Sequence, residues 1–204
     1  MRLLAEGLSA VRGERVVFRD IDFELASGQA LVLHGPNGSG KTTLLRVIAG
    51  LIGTLAGRLR LIDKDGKTLA DEERDQAQHF VGHQDAIRSQ LRVIETLRFH
   101  AALLGAEPKH IDEAVATWGL QALVDLSGGL LSAGQRRRVS LARLSLQRRQ
   151  LWLLDEPLVA LDAPTRARLN DVCTKHLTQG GMIVAASHEP FLGDRRTLTL
   201  GFAE

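Results

Sequence analysis

Gly35-Pro36-Asn37-Gly38-Ser39-Gly40-Lys41-Thr42 has the spacing G-x-x-x-x-G-K-[ST], and each fixed residue type meets a need of phosphate chemistry. Glycines let backbone N–H groups face an anion, a lysine ammonium reaches β and γ phosphates, and a threonine hydroxyl can ligate Mg²⁺. A helix starting at about Thr42, with Thr43 in its first turn, adds partial positive charge at the same place. The competing reading is a glycine-rich turn with a chance lysine. It loses weight because the apolar run Ala30-Leu31-Val32-Leu33 leads into the loop as a strand should.

A second group can act on a bound phosphate chain. Asp155 closes the apolar run Leu151-Trp152-Leu153-Leu154, where a carboxylate can hold Mg²⁺. Glu156 follows it, and because side chains alternate at a strand end, the two acids are expected to address different parts of one site. A carboxylate placed like Glu156 can take a proton from an attacking water, worth roughly 10² to 10⁴ in rate. Gln84 is expected to end a strand-like run, Phe80-Val81-Gly82-His83, and His188 to end the run Met182-Ile183-Val184-Ala185-Ala186. Leu131-Ser132-Ala133-Gly134-Gln135 opens a segment expected to be helical from about Gln135 to Gln147. A serine hydroxyl and a small residue at a helix start make an unobstructed anion contact. Arg136-Arg137-Arg138 reads either as a solvated or salt-bridged helix face or as a charge that steers nucleotide.

These residues need a scaffold that brings strand ends together. The runs at 30–33, 151–154 and 182–186 look like strands buried on both faces of a parallel sheet, whose C-terminal edge is where such folds bind ligands. From Leu3 to Ala26 apolar and polar residues alternate, which predicts antiparallel strands with one covered face. Between about 92 and 126, Ile94, Leu97, Ala101 and Leu104 recur at helical spacing, with Gly105 as a stop and Pro108 near the next start. Gly128-Gly129 is expected to give a flexible approach to Leu131.

Composition narrows the function. The 204 residues are 44% hydrophobic and 25% charged with a net charge of +2, and no run reaches the roughly 18 apolar residues of a membrane span. Only 4% are aromatic and none is tyrosine, which with the dispersed arginines argues against nucleic acid. One cysteine allows neither an internal disulfide nor a Cys-x-x-Cys-His haem attachment site. The seven histidines form no convincing metal-ligand cluster. The N-terminus lacks a secretory apolar region, so the chain is expected in the cytosol.

Taken in order, these motifs resemble those of ATP-binding cassette (ABC) nucleotide-binding domains over nearly the whole chain. The resemblance implies an α/β P-loop NTPase fold in one domain, 1–204, with an antiparallel β subdomain and a helical subdomain at about 92–148. It implies an ATPase with ATP and Mg²⁺ as cofactors and with Gly35 to Thr43 on the nucleotide. Thr42, Gln84 and Asp155 would serve the metal, while Glu156, His188 and Gln84 would be catalytic. Asp162 would mark the D-loop, in Ala160-Leu161-Asp162. Ser132, Ala133, Gly134 and Gln135 would complete the site of a second copy in an ATP-sandwich dimer. Three positions depart from the usual pattern. Val11-Arg12 stands where an adenine-stacking aromatic is common, and Arg12 reads as a surface arginine or as a substitute for that ring. Val159 replaces a D-loop serine or threonine, and Ala133 replaces a signature glycine.

More narrowly, Val81-Gly82-His83-Gln84, the signature with Ala133, Leu144 in Leu141-Ala142-Arg143-Leu144, and Ser187-His188-Glu189-Pro190 are similar to the ATP-binding subunits of bacterial cytochrome c maturation, the haem-exporter CcmA family. That resemblance implies a peripheral protein on the cytoplasmic face of the inner membrane. Its partners would be integral membrane subunits of a CcmB/CcmC type. It implies no nucleic acid and no direct haem site in this chain. An ABC ATPase serving another substrate is the alternative.

Overall fold

The alternation between Arg2 and Ala26 becomes two antiparallel strands, β1 (Arg2–Arg12) and β2 (Arg15–Ala26), with Leu3 opposite Leu25 and Ala5 opposite Phe23. A third strand, β4 (Ala56–Ile62), pairs with the other edge of β1. Its first three residues are exposed and arginines interrupt it, so it has no apolar run by which to be recognised. The computed structural model describes residues 1–13, 15–193 and 195–201.

The expected buried runs are β3 (Ala30–His34), β6 (Leu151–Asp155) and β7 (Met182–Ala186). With β5 (Gln78–Val81) and β8 (Arg196–Thr199) they form a parallel sheet in the order β5-β6-β7-β3-β8. The three apolar runs occupy its centre, as burial on both faces requires. Helix α1 (Lys41–Ile48) packs on β6 and β7. Apolar side chains of both sheets join Leu44, Leu45 and Ile48 in one core. The strand expected to run from Phe80 to His83 instead starts at Gln78 and stops at Val81. Pairing of Gln78 with Leu151 and Val81 with Leu154 sets its limits, and polarity at Gln78 and His79 hid its start. A short helix, α2 (Asp71–Ala77), precedes it.

These sheets and helices belong to one compact unit: Met1–Gly82, Arg149–Pro157 and Val172–Glu204. A second unit comprises His83–Arg148 and Leu158–Asp171. It contains α3 (Val93–Leu104), α4 (Lys109–Trp118), α5 (Ala133–Ala142) and the start of α6 (Ala163–Thr178). Gly105 and Gly119 end α3 and α4 in the left-handed conformation. Val93, Leu97, Ala101, Ile111, Ala114 and Trp118 are buried, and α4 packs against α3 and α5.

Two expectations fail in this unit. The signature helix begins at Ala133, two residues early, because a reciprocal capping box at Ser132 nucleates it. It ends at Ala142, followed by a 3₁₀ turn at Arg143–Ser145. Nor is Gly128-Gly129 a flexible approach: Gly128–Leu130 is a 3₁₀ turn. A Cβ on Gly128 would come within 2.6 Å of the Arg88 carbonyl oxygen and 2.7 Å of Ile87 Cγ2. Glycine is there for close packing, not for freedom.

Candidate functional site

The phosphate-type loop joins the C-terminal end of β3 to α1. Gly40, the residue before α1, has φ +99°, and a Cβ there would lie 2.5 Å from Val17 Cγ1. Only glycine allows both that conformation and that approach. Lys41 is buried, and its ammonium donates to the carbonyls of Gly35 at 2.7 Å and Pro36 at 3.1 Å. An ammonium has three donors, so one N–H remains for a phosphate oxygen. Ser39 is fully buried, yet its Oγ has no hydrogen-bond partner. An orphaned hydroxyl inside a glycine loop at a helix start fits an anion that approaches the loop.

Thr42 Oγ1 donates to both carboxylate oxygens of Asp155, at 3.1 and 3.0 Å. Asp155 is 2% exposed at the end of β6. The first residue pair that could hold a hard cation is therefore brought together from positions far apart in the chain, and oxygen donors are what Mg²⁺ requires.

Glu156 does not continue the strand's alternation. Its φ is +48°, outside the range an extended residue adopts. Its N–H donates to the Ala186 carbonyl at 2.9 Å, which anchors the turn to the neighbouring strand β7. Its Oε1 lies 3.5 Å from His188 Nε2, and its Oε2 accepts from the His188 N–H at 3.4 Å. His188 is half exposed, not the buried histidine usual after an apolar strand. The sequence pattern around His188 included Ser187 but gave it no role of its own. Its buried hydroxyl donates to the Glu189 carbonyl at 2.8 Å and accepts from the Glu189 N–H at 3.2 Å. That local serine turn fixes the backbone on which His188 stands, and serine before a strand-end histidine is its only sequence signal.

The remaining expected residues lie in the second unit. Gln84 is exposed in the loop after β5. Ser132 Oγ accepts from the Gln135 N–H at 3.2 Å, and Gln135 Oε1 accepts from the Ser132 N–H at 2.8 Å. The capping hydroxyl keeps its own proton to donate to an anion. A Cβ on Gly134 would lie 2.6 Å from the Ala160 carbonyl oxygen, so this glycine and the Ala160-Leu161-Asp162 turn are packed together. Asp162 Oδ1 accepts from the Thr165 N–H at 3.0 Å at the start of α6. Hydrogen bonds from the Thr165 side chain and backbone hold the Asp162 carboxyl below the usual aspartate range.

Of the three arginines after the signature, none steers freely. Arg136 donates to the Leu131 carbonyl at 2.5 Å, Arg138 to the Gly119 carbonyl at 3.2 Å, and Arg137 is buried against Asp85 at 3.1 Å. Val159 and Arg12 are exposed.

The sequence model of the ABC transporter family matches residues 18–159. Proteins named cytochrome c biogenesis ATP-binding export protein CcmA from Rhodopseudomonas palustris (strain HaA2) and Rhizobium meliloti (strain 1021) are 46% and 45% identical to this chain. The alignments cover 100% of both chains in the first case and 99% of both in the second. The chain belongs to the ABC transporter family, in its CcmA branch. The family match stops before His188, whereas these CcmA relatives extend across it. In three dimensions the fold matches a putative ABC transporter ATP-binding protein from Pyrococcus furiosus with a TM-score of 0.83, at 25% identity and 98% coverage of both chains. An ATP-binding cassette solved as a dimer in a post-hydrolysis state with ADP and Pi has a TM-score of 0.79 at 23% identity, covering 92% of this chain and 88% of that one. That second likeness concerns the fold. Among the described residues of this CcmA-branch chain, no helix is long and apolar enough to cross a membrane.

Proposed function

We propose that this protein is the ATP-hydrolysing subunit of a membrane ABC complex in cytochrome c biogenesis, where it drives haem export or the release of a haem-loaded periplasmic chaperone. Full-length identity of 46% to a protein named for that export role carries the assignment of pathway. The juxtaposition of Thr42 with Asp155 and of Glu156 with His188 carries the assignment of chemistry.

In this reading Lys41, Ser39 and the N–H groups of the Gly35–Thr43 loop hold the phosphate chain, and Thr42, Asp155 and Gln84 hold Mg²⁺, directly or through water. The metal, when bound, neutralises charge on the β- and γ-phosphate oxygens. Glu156 accepts the proton of the attacking water at its carboxylate. His188 keeps that carboxylate oriented through its ring and its N–H. Ser132, Ala133, Gly134 and Gln135 contact the nucleotide of a second copy, with Asp162 in the turn behind Gly134. Hydrolysis in the paired copies is passed to integral membrane subunits of a CcmB/CcmC type, which places the protein peripherally on the cytoplasmic face of the inner membrane. Cargo contacts lie in those subunits.

The test is co-purification from mild detergent with Glu156→Gln, which holds the ATP-bound form. Recovery of membrane subunits that bind haem or a haem chaperone is the expected result. Recovery of a peptide or ion transporter instead would overturn the cytochrome c assignment and leave the ATPase chemistry standing.

A further inference from the structure

The phosphate-type loop has a neighbour that its own sequence does not announce, the end of strand β8. This edge strand of the parallel sheet pairs with β3, with Arg196 opposite Leu31 and Thr199 opposite His34. One residue further on, the Leu200 N–H donates to the His34 carbonyl at 2.8 Å, so the ladder reaches the last residue before the loop. The Leu200 carbonyl then lies directly against Gly35. A Cβ on Gly35 would collide with that oxygen and would come within 2.6 Å of Ser39 Oγ. With φ at +143° as well, both the packing and the conformation of Gly35 exclude a side chain.

The peptide held in this way is the one on which Lys41 rests. Its ammonium donates to the Gly35 carbonyl at 2.7 Å and to the Pro36 carbonyl at 3.1 Å, so a single residue, Gly35, stands between Leu200 and the charge. The Leu200 side chain is 1% exposed and joins the core that contains Leu33 and Leu44. At the other end of β8, Arg196 donates to the Glu24 carbonyl at 2.6 Å. The strand between these ties is short, on the sheet edge and mostly exposed. Such an element opens at lower free energy than buried ones. The loop's first residue therefore leans on an element that opens more readily than β3 or α1, whose residues are mostly buried.

We propose that Leu200 is a positioning residue for the phosphate-type loop. Its N–H and carbonyl set the path of the chain from His34 into Gly35, and through the Gly35 carbonyl they set the place of the Lys41 ammonium. While the end of β8 is paired, the loop keeps its phosphate-binding path. When that end peels from β3, the competent loop is less populated, and apparent affinity falls by the same fraction. The consequence for ATP rests on the reading above in which the loop binds nucleotide. The backbone clamp does not.

Two substitutions separate the clamp from packing. Leu200→Pro removes the N–H, whereas Leu200→Ala keeps the backbone groups and removes only the packed side chain. Amide hydrogen exchange on the nucleotide-free full chain is expected to be about tenfold faster over 35–41 in Leu200→Pro than in Leu200→Ala, with 109–118 in α4 the same in both. In the assembled complex, KM for ATP is expected to rise about tenfold in Leu200→Pro with kcat unchanged, while Leu200→Ala lowers Tm and keeps both constants. Equal exchange over 35–41 in the two variants, or an equal KM shift, overturns the proposal. Where Leu200→Pro does not fold, Arg196→Ala carries the test, because it loosens β8 from an exposed position. It is expected to accelerate exchange over both 196–201 and 35–41, and acceleration confined to 196–201 overturns the clamp. Absence of ATP-dependent protection at 35–41 in the unmodified chain would instead sink the nucleotide reading and leave the nucleotide-free exchange result intact.

Discussion

Replacing Ser39 by alanine should change stability and nucleotide affinity in opposite directions. Its hydroxyl is fully buried without a hydrogen-bond partner, a condition that costs about 1–3 kcal/mol. Alanine removes the orphaned group and keeps the β-carbon, so the nucleotide-free protein gains about 1 kcal/mol or more. For a chain of this size that raises Tm by about 2–4 °C per kcal/mol. With a phosphate chain in the loop, the same hydroxyl donates to a charged oxygen, a bond worth about 1.5–3 kcal/mol. Its removal weakens ATP binding by roughly tenfold to a hundredfold. Both numbers come from one experiment. Ser39→Ala and its parent, each in a Glu156→Gln background so that ATP survives, are melted over a series of ATP concentrations with Mg²⁺. The expected pattern is a higher Tm without nucleotide and a displaced, weaker dependence of Tm on ATP. A lower nucleotide-free Tm would show that the hydroxyl is satisfied in solution. An unchanged ATP dependence would show that it does not face the phosphates.

Glu156→Gln keeps the shape of the side chain and removes the base, so hydrolysis should fall by roughly 10² to 10⁴ while equilibrium ATP binding persists; an unchanged single-turnover rate would reject the general-base role. Mixing Lys41→Ala chains with Ser132→Arg chains puts both defects in one composite site and leaves the other intact, so partial ATPase activity should return, and none should return if the signature acts only in its own chain. For Asp162, hydrogen bonds from Thr165 depress the folded-state pKa. Its stabilisation is present above the unfolded aspartate pKa of about 3.9 and is lost as pH falls through the lower folded value. Urea melts taken from about pH 6 downward through the unfolded aspartate pKa should therefore show a steeper acid loss for the parent than for Asp162→Asn; parallel curves would reject a stabilising role for the cap.

Much of the site was legible because its signals are local. The loop from Gly35 to Thr42 needs consecutive donors, and consecutive donors are written as consecutive residues. The runs before Asp155 and after Gly181 announced central strands because burial on both faces leaves no room for alternation. The same logic explains the failures. β4 and the start of β5 carry arginine, glutamine and histidine, so their pairing with β1 and β6 had no apolar signature. Gly128-Gly129 reads as looseness in a string of residues and as tight packing once Arg88 lies against it.

What the sequence determined by itself was the kind of chemistry to expect and the strand ends proposed to carry it, since both depend on neighbours within a few residues. Only the tertiary structure decided that Glu156 leaves its strand in a left-handed turn bonded to Ala186 and faces His188. Only the tertiary structure decided that Arg137 is buried and salt-bridged to Asp85, one of the two helix-face readings open to it. Each of these outcomes depends on which distant group fills the adjacent space, and burial makes that group decisive, because a charge or hydroxyl removed from water must find its partner inside the protein.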